Sequence, residues 1–303
     1  MSWSPCEAPR SDEARPETVD LVLHPKTKDI GAFSVRRALP GRERRSVGPF
    51  VFFDEMGPAD LGPDQAMDVR PHPHINLATI TYLFEGAIQH RDSLGSDLVI
   101  EPGAVNLMVA GRGIVHSERT PQALRGHPGR MHGLQLWIAL PDEHEETEPA
   151  FHHHPASTLP AWREGGSSVR LLMGRWGEHR SPVQTFSETL YAVLDFDPGA
   201  RFHLPDAPER GLYVIDGALD IGAQRFEAGN MVVLGAGADV APNAPDGARC
   251  ALIGGASVGP RFIEWNFVSS RRERIEAAKA DWQAERFPVV PGDEVERIPL
   301  PTD

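Results

Sequence analysis

Two short stretches of the sequence carry side chains that could together bind a metal ion. RPHPH (70–74) contains His72 and His74, and IVHSERTP (114–121) contains His116 and Glu118. Residues i and i+2 of a β-strand point to the same face, about 6.6 Å apart along the backbone, so each pair can present both side chains to one side. If both strands face the inside of one barrel, three imidazoles and a carboxylate converge.

Such a ligand set predicts a mononuclear site for a divalent first-row metal, with one or two positions left for water, O₂ or substrate. Iron(II) is the expected ion for oxygen chemistry, and manganese, copper, nickel and zinc remain alternatives that ligand type does not separate. The set lacks cysteine, which argues against a structural zinc finger. A lone H-x-H is more often an ordinary polar strand face, so the prediction depends on both pairs occurring together.

The elements around these pairs form a weak internal repeat. YLFEGA (82–87) matches YVIDGA (213–218), and EPGAVNLMVAG (101–111) matches EAGNMVVLGAG (227–237). Each copy contains strand-like runs joined by Gly and Pro turns. We therefore predict two small jelly-roll barrels, because closure of a sheet removes its exposed edges.

The repeat provides an internal control for the candidate ligands. Counted from the matched segments, the four ligand positions correspond in the second copy to His203, Pro205, Pro242 and Ala244. Residues that only served the fold should tend to recur in both copies. The first copy is therefore predicted to bind a ligand that the second cannot.

The remaining sequence predicts three regions and one helix. We expect a disordered tail over 1–18, a metal-binding barrel over 19–145, and a second barrel without metal ligands over 146–303, which ends in an extended tail. A helix over 270–285 is indicated by Ser270 and Glu273, a capping-box pair, and by Ile275, Ala278 and Trp282 on one face. The helix is expected to pack across the barrel junction or against a partner. The segment 140–160 is predicted as a linker, with the His tract at 152–154 solvated.

Composition narrows the class of protein. The chain has 303 residues, 40% of them hydrophobic, and a net charge of −13, which argues against direct binding to nucleic acid. Cys6 lies in the predicted tail, so a structural disulfide with Cys250 is not expected. The N-terminal twenty residues do not read as a signal peptide, and no apolar run is long enough to span a membrane. These features predict a soluble cytoplasmic protein.

Several motifs resemble those of the pirin family, a branch of the bicupins. They are RPHPH, TYLFEGAIQHRDSLG, EPGAVNLMVAGRGIVHSE and HGLQLWIALP, with VGPFVFFDEMGP resembling the family's entry segment. The resemblance is strong over about 18–140 and follows the family in layout beyond that. It implies an all-β fold of two tandem cupin domains with a short C-terminal helix. It also implies that the N-terminal cupin holds iron through the same four residues.

Some bacterial pirins are similar in activity to quercetin 2,3-dioxygenase, which opens a flavonol ring with O₂ and releases carbon monoxide. The resemblance thus implies a small aromatic substrate and O₂ as partners, with Glu118 acting as both ligand and catalytic base. His90, Gln89 and Gln135 are candidate pocket residues. Most cupins have an acidic metal ligand a few residues after the second histidine, but the stretch INLAT (75–79) contains no acidic residue. It also lacks the Arg-Gly-Phe-Glu run that many pirins have there. That departure leaves the substrate open.

Two alternatives remain. Eukaryotic pirins act as redox-sensitive transcriptional cofactors. The resemblance therefore also allows a metal- and redox-dependent regulator that acts by binding a partner protein. An exposed patch beside the metal mouth, in place of a closed pocket, would favour this function. The other alternative is a bicupin that acts on an unrelated small metabolite.

Overall fold

The computed structural model describes residues 18–29 and 33–301. Apart from Thr18, the tail predicted to be disordered lies outside these residues. Within the described part, the chain consists mainly of strands, with a single α-helix close to its C-terminal end. No helix in that part has the length and apolar character that crossing a membrane requires.

The described strands are numbered in chain order. Those of the first half are β1 (Val19–Leu23), β2 (Lys26–Asp29), β3 (Ser34–Leu39), β4 (Phe50–Leu61), β5 (Asp68–His74), β6 (Leu77–Glu85), β7 (Ile88–Asp92), β8 (Asp97–Ile100), β9 (Val105–Val109), β10 (Ile114–Arg119), β11 (Gly129–Ala139) and β12 (Ala150–His154). Those of the second half are β13 (Ala161–Glu164), β14 (Ser167–Met173), β15 (Arg175–Trp176), β16 (His179–Arg180), β17 (Thr189–Phe196), β18 (Ala200–Arg201), β19 (Glu209–Ile221), β20 (Gln224–Glu227), β21 (Met231–Leu234), β22 (Asn243–Ala244), β23 (Ala248–Gly255), β24 (Phe262–Glu264) and β25 (Phe267–Ser269). The helices are α1 (Arg272–Gln283) and short 3₁₀ turns at Gln122–Leu124, Asp142–His144 and Ala156–Thr158.

The first barrel is made of two antiparallel sheets. One has the order β12-β9-β6-β11-β4-β3-β2, and the other has the order β5-β10-β7-β8. Side chains alternate between the two faces of each strand. On β11, Leu134 and Leu136 join the apolar core between the barrels, whereas Gln135 and Trp137 face a cavity inside the first barrel.

The second barrel is built on a sheet of order β1-β21-β19-β23-β17-β14-β13, and the short strands β18, β20 and β22 complete it. β1, from the N-terminal end, joins the second barrel by pairing with β21, whereas β12, from the segment predicted as a linker, pairs with β9 of the first barrel. The predicted all-β fold with two barrels and a C-terminal helix is confirmed.

The predicted linker contains an ordered strand. β12 spans 150–154 and pairs along its length with β9, so the backbone of the His tract is a strand and not a loop. The side chain of His153 is exposed, and those of His152 and His154 are partly exposed. The Nδ1 atom of His153 lies 2.7 Å from Oδ1 of Asn106. Local composition indicated a loop, but pairing with a strand about 45 residues earlier satisfies this backbone.

A buried ionic group joins the two barrels. Glu55 on β4 is fully buried and accepts hydrogen bonds from Arg36 Nε at 2.8 Å and from the Tyr213 hydroxyl of the second barrel at 2.5 Å. His132 Nε2 lies 3.0 Å from the other carboxylate oxygen. The surrounding side chains are apolar, and the rings of Phe53 and Tyr213 lie 4.7 Å apart. The two barrels therefore share one core.

The C-terminal segment returns to the first barrel. The α1 residues predicted to share a face (Ile275, Ala278 and Trp282) are buried there, in one cluster with Ile75 and Val115. Ile75 directly follows β5, and Val115 lies on β10, so α1 packs behind these two strands. The helix does not pack across the barrel junction.

The predicted capping box does not form. The N-cap residue is Arg271, and no side chain caps the helix. Ser270 Oγ instead donates to the buried carboxylate of Glu145 at 2.9 Å, and Ser270 N donates to it at 2.6 Å. A buried carboxylate needs donors more than a solvated helix end does, which explains why Ser270 is recruited away from the cap.

Candidate metal centre

Three histidines meet where β5 and β10 pair inside the first barrel. His116 lies directly opposite His72, and His74 lies opposite Ile114, two residues further along. The ring centroids are 4.3 Å apart for His72 and His116, and 5.1 Å apart for His74 and either of the others. One ligand atom from each ring can be chosen so that all three lie within 4.8 Å of one another. This spacing could hold a metal ion.

Hydrogen bonds orient two of the three rings. His72 Nδ1 lies 2.9 Å from the carbonyl oxygen of Arg70, and His74 Nδ1 lies 3.0 Å from that of Asn266. A carbonyl only accepts, so each Nδ1 carries the proton and each Nε2 keeps its lone pair. Outer contacts of this kind fix the tautomer of metal-binding histidines.

His116 provides the sharpest test of whether the site fits a metal. Both of its ring nitrogens are buried, and neither has a hydrogen-bond partner among the described residues. Buried polar atoms are rarely left unpaired, because each one costs about 1–3 kcal/mol. A metal ion bound by His116 would remove that cost for one of the two nitrogens, so the residues present fit the group that the donor set implies.

The protonation of the three rings agrees with this use. Burial lowers the pKa of His72, and it lowers the pKa of His74 and His116 well below the ordinary value. The neighbouring rings add to the effect for His74 and His116. Since metals bind the neutral imidazole, the site is poised for binding at neutral pH.

Glu118 lies beside the three rings but is held by another residue. Its carboxylate is buried and accepts hydrogen bonds from Gln135 Nε2 at 2.8 and 3.0 Å. The close group of three ligand atoms consists of the histidines and does not include Glu118. The carboxylate is near enough to His72 to oppose the lowering of its pKa.

The candidate site opens into a cavity of about 500 Å³. Phe52 and Trp137 form one wall, with parallel rings 4.0 Å apart, and the Trp137 ring meets His74 edge-on at 5.1 Å. Arg37 lies over Phe52 and donates two hydrogen bonds to Asp54, at 2.7 and 2.8 Å. Burial raises the pKa of Asp54, although the pair with Arg37 works against that rise. The cavity thus combines flat aromatic surfaces with several charged and polar side chains.

The C-terminal segment completes the cavity. Trp265, Asn266 and Ile298 line it, although they lie far from the ligand strands in sequence. The backbone N–H of Ile298 donates to the carbonyl of Pro71 at 2.9 Å. Arg119 on β10 donates to Asp293 of the same segment at 2.7 and 2.8 Å. The last part of the chain therefore covers the mouth of the first barrel.

Two family models match the chain. The pirin model matches residues 32–138, and the model of the pirin C-terminal cupin domain matches residues 191–288. The chain belongs to the pirin family.

Relatives and solved structures agree with this membership. A pirin-like protein of Caulobacter vibrioides is 47% identical over 93% of this chain and 99% of its own length. Human pirin is 31% identical over 88% of this chain and 91% of its own. The crystal structure of a quercetin 2,3-dioxygenase from Acinetobacter baumannii superposes with a TM-score of 0.87 at 34% identity, covering 93% of this chain and 95% of that one.

The other sequence-predicted residues of this pirin occupy different places. Gln135 lines the cavity, whereas Gln89 and His90 do not. His90 lies deeper, stacked on Phe151 at 4.2 Å, with Nε2 3.0 Å from Asp92. Gln89 lies on the opposite face of β7 and pairs with Asp97. Adjacent residues of one strand face opposite sides, so Gln89 and His90 cannot both face one cavity. Their pocket role stays a prediction.

Several residues that line the cavity were not predicted from the sequence of this pirin. Phe52 and Asp54 stand in the aromatic run VGPFVFFDEMGP, where the alternation of an inward-facing strand could have signalled them. Trp265 and Asn266 follow the second barrel and gave no local signal. Their place depends on a tertiary contact across about 190 residues of chain.

Proposed function

We propose that this member of the pirin family is a mononuclear metal-dependent dioxygenase that acts on a flavonol or a related aromatic substrate with an enol group. His72, His74, His116 and Glu118 would hold one divalent ion, and iron(II) is the ion we propose. Manganese, copper, nickel and zinc suit the same nitrogen and oxygen donors. The solved relative named as a quercetin 2,3-dioxygenase supports this choice of reaction.

The observation that carries the proposal is the state of the ring nitrogens. His116 keeps two buried nitrogens without partners, beside the free Nε2 atoms of His72 and His74. A purely structural histidine cluster would pair these atoms with donors or acceptors of the protein. The cluster is instead left open towards a cavity with aromatic walls.

The residues of the cavity would have separate tasks. When bound, the ion would act as a Lewis acid towards the enol oxygen and as a redox centre for O₂. Trp137, backed by Phe52, would stack its other face against the substrate ring, which favours a planar molecule. Trp265 and Ile298 would exclude water from the reacting atoms.

Glu118 would be the catalytic base, taking the proton of the enol hydroxyl onto a carboxylate oxygen. Gln135 would hold that carboxylate in place, because its amide donates to both oxygens. A base has to lie within hydrogen-bond reach of the proton it removes, and Glu118 lines the same cavity as the aromatic wall. Gln135 is thus a positioning residue.

The first experiment measures iron content and oxygen uptake together. The protein is purified without oxygen, loaded with iron(II) and analysed for metal, and O₂ consumption and carbon monoxide release are followed after addition of quercetin. We expect about one iron per chain and quercetin-dependent uptake, both lost in His74→Ala. His203→Ala is the matched control, because His203 is an exposed histidine of the second barrel.

Two outcomes would contradict the proposal at different points. Equal metal content in the wild type and in His74→Ala would refute the ligand set. A full iron site without turnover of quercetin or related enols would refute the reaction and favour the metal- and redox-dependent regulator instead. A cavity of about 500 Å³ beside the ligands speaks for the enzyme, since a regulator needs a surface for its partner more than a cavity.

A further inference from the structure

The pairing of β5 with β10 is irregular at Arg70, which lies next to the candidate metal site. The pairing of β5 with β10 runs from His72–His116 to Val69–Glu118, so Arg70 and Pro71 together lie opposite Ser117. This is a β-bulge, which re-aims the side chains of the bulged strand. The backbone of Arg70 is held by its carbonyl contact with His72, while its side chain lines the cavity.

Arg70 differs from Arg37, the other arginine at the cavity, in having no counterion. Arg37 is paired with Asp54, and Asp68 accepts hydrogen bonds from Arg119 and Arg125. The guanidinium of Arg70 makes no ion pair or hydrogen bond with any residue of the described ranges 18–29 and 33–301.

The setting of this charge indicates what it could bind. A guanidinium has the planar fork that matches a carboxylate, and it stays charged at all ordinary pH values. The cavity is lined by aromatic rings (Phe52, Trp137 and Trp265) and by polar side chains. Its carboxylates already have partners: Asp54 and Asp68 are paired with arginines, and Glu118 is held by Gln135. Along the strand, about 7 Å separate Arg70 from His72, so a group bound by Arg70 lies away from the reacting enol.

We propose that Arg70 binds a carboxylate on the distal ring of the substrate, so that this pirin prefers an aromatic acid to a neutral flavonol. This inference rests on the proposed function, because it assumes that the enol end of the substrate lies at the metal site. The aromatic rings of the cavity would accept any planar substrate. Arg70 would select among these substrates by binding those that carry a carboxylate.

The test compares two fluorescent ligands that differ in one group. The probes are 3-hydroxyflavone and its 4′-carboxylate, titrated without oxygen into the full-length protein loaded with iron. We expect the carboxylate to bind the wild type about tenfold more tightly, the scale of one charge-assisted hydrogen bond. In Arg70→Gln the two ligands should bind equally, with the affinity for 3-hydroxyflavone unchanged.

Two further variants distinguish recognition from a general effect of charge. Arg70→Lys keeps the charge but not the fork, and we expect it to restore part of the preference. Arg201→Gln removes an exposed arginine of the second barrel and should leave the tenfold preference intact. Equal binding of both probes to the wild type, or a preference that survives in Arg70→Gln, would overturn the inference.

A second pair of probes separates this inference from the proposed function. Biphenyl-4-carboxylate and biphenyl-4-carboxamide carry no enol, so their binding does not depend on enol chemistry at the metal. If neither flavone binds but the acid of this second pair is preferred and depends on Arg70, the enol assignment fails while the anion site stands. If neither pair shows a preference that depends on Arg70, the anion site is refuted.

Discussion

The two barrels pair the same parts of their backbones but fill the space between them differently. In the first barrel, β5 and β10 bring together His72, His74 and His116. In the second barrel, β18 pairs with β22, and the chain continues with hydrogen bonds from Phe202 N to Pro242 O and from Leu204 N to Val240 O. The side chains of Phe202, Leu204, Val240 and Ala244 are buried there in an apolar core.

The difference shows what a binding site costs in a fold of this kind. Apolar side chains at these positions contribute packing and leave no polar atom unpaired. The imidazoles of the first barrel forgo part of that packing and keep two nitrogens of His116 without partners. One copy of the repeat is thus arranged for stability, and the other accepts unsatisfied groups that a ligand can pair.

The largest expected effect follows from removing the unpaired imidazole. His116→Ala should weaken metal binding by more than about 100-fold, because even the loss of an outer contact to a ligand costs 10–100-fold. Competition titration with a chelating dye measures the affinity. Val240→Ala, at the facing segment of the second barrel, is the control and should bind metal like the wild type. If both variants bind metal equally well, the difference between the two barrels does not reflect metal binding by the first.

The free energy of unfolding should depend more on the second barrel than on the metal-site histidine. Leu204→Ala in the second barrel should lower the free energy of unfolding by about 2–4 kcal/mol, since it opens a cavity in a packed core. His116→Ala, measured as metal-free protein, should lower it by less than Leu204→Ala does, because the cavity it opens is offset by the removal of two unpaired buried nitrogens. Urea denaturation of both metal-free variants provides the comparison. A larger loss in His116→Ala would mean that the imidazole cluster supports the fold.

A smaller effect should separate positioning from binding within the first barrel. Gln135→Leu removes the donor that holds Glu118 and should lower the turnover number about tenfold, while metal content stays at the wild-type level. Oxygen uptake and metal analysis on the same sample test this. Loss of metal in Gln135→Leu would show instead that the amide is needed to assemble the site.

The smallest signal should come from Cys250, in the core of the second barrel. Burial raises the pKa of its thiol far above the ordinary value of 9.0, so the thiolate does not form as the pH rises from 7 to 9. In a Cys6→Ser background, iodoacetamide should leave the native protein unmodified across this range and react only in urea. Modification that increases with pH in the native state would show that the second barrel opens to solvent.

Local patterns were enough to predict the site's imidazoles and the class of fold. The H-x-H and H-x-E pairs needed only strand alternation to face inward, and the repeat placed them in one barrel. The structure brings the three histidines together as that reasoning predicts. It also shows why Gln135 belongs with Glu118, since the two side chains meet across the barrel.

Features that depend on distant partners could not be predicted in this way. Ser270 has the sequence of a helix cap, yet it donates to Glu145, 125 residues earlier. The His tract at 152–154 reads as a loop until β9 is available as its neighbour. Trp265 and Asn266 reach the site only because α1 packs behind β5 and β10. In each case the competing interaction comes from a part of the chain that a local pattern does not contain.

The C-terminal cover of the first barrel also fixes the order in which the protein can mature. The histidines are translated early, but the carbonyl that orients His74 belongs to Asn266, and Ile298 lines the cavity from still further along the chain. A ribosome adds Asn266 192 residues after His74. A nascent chain that stops after the first barrel therefore carries its imidazoles without their final setting.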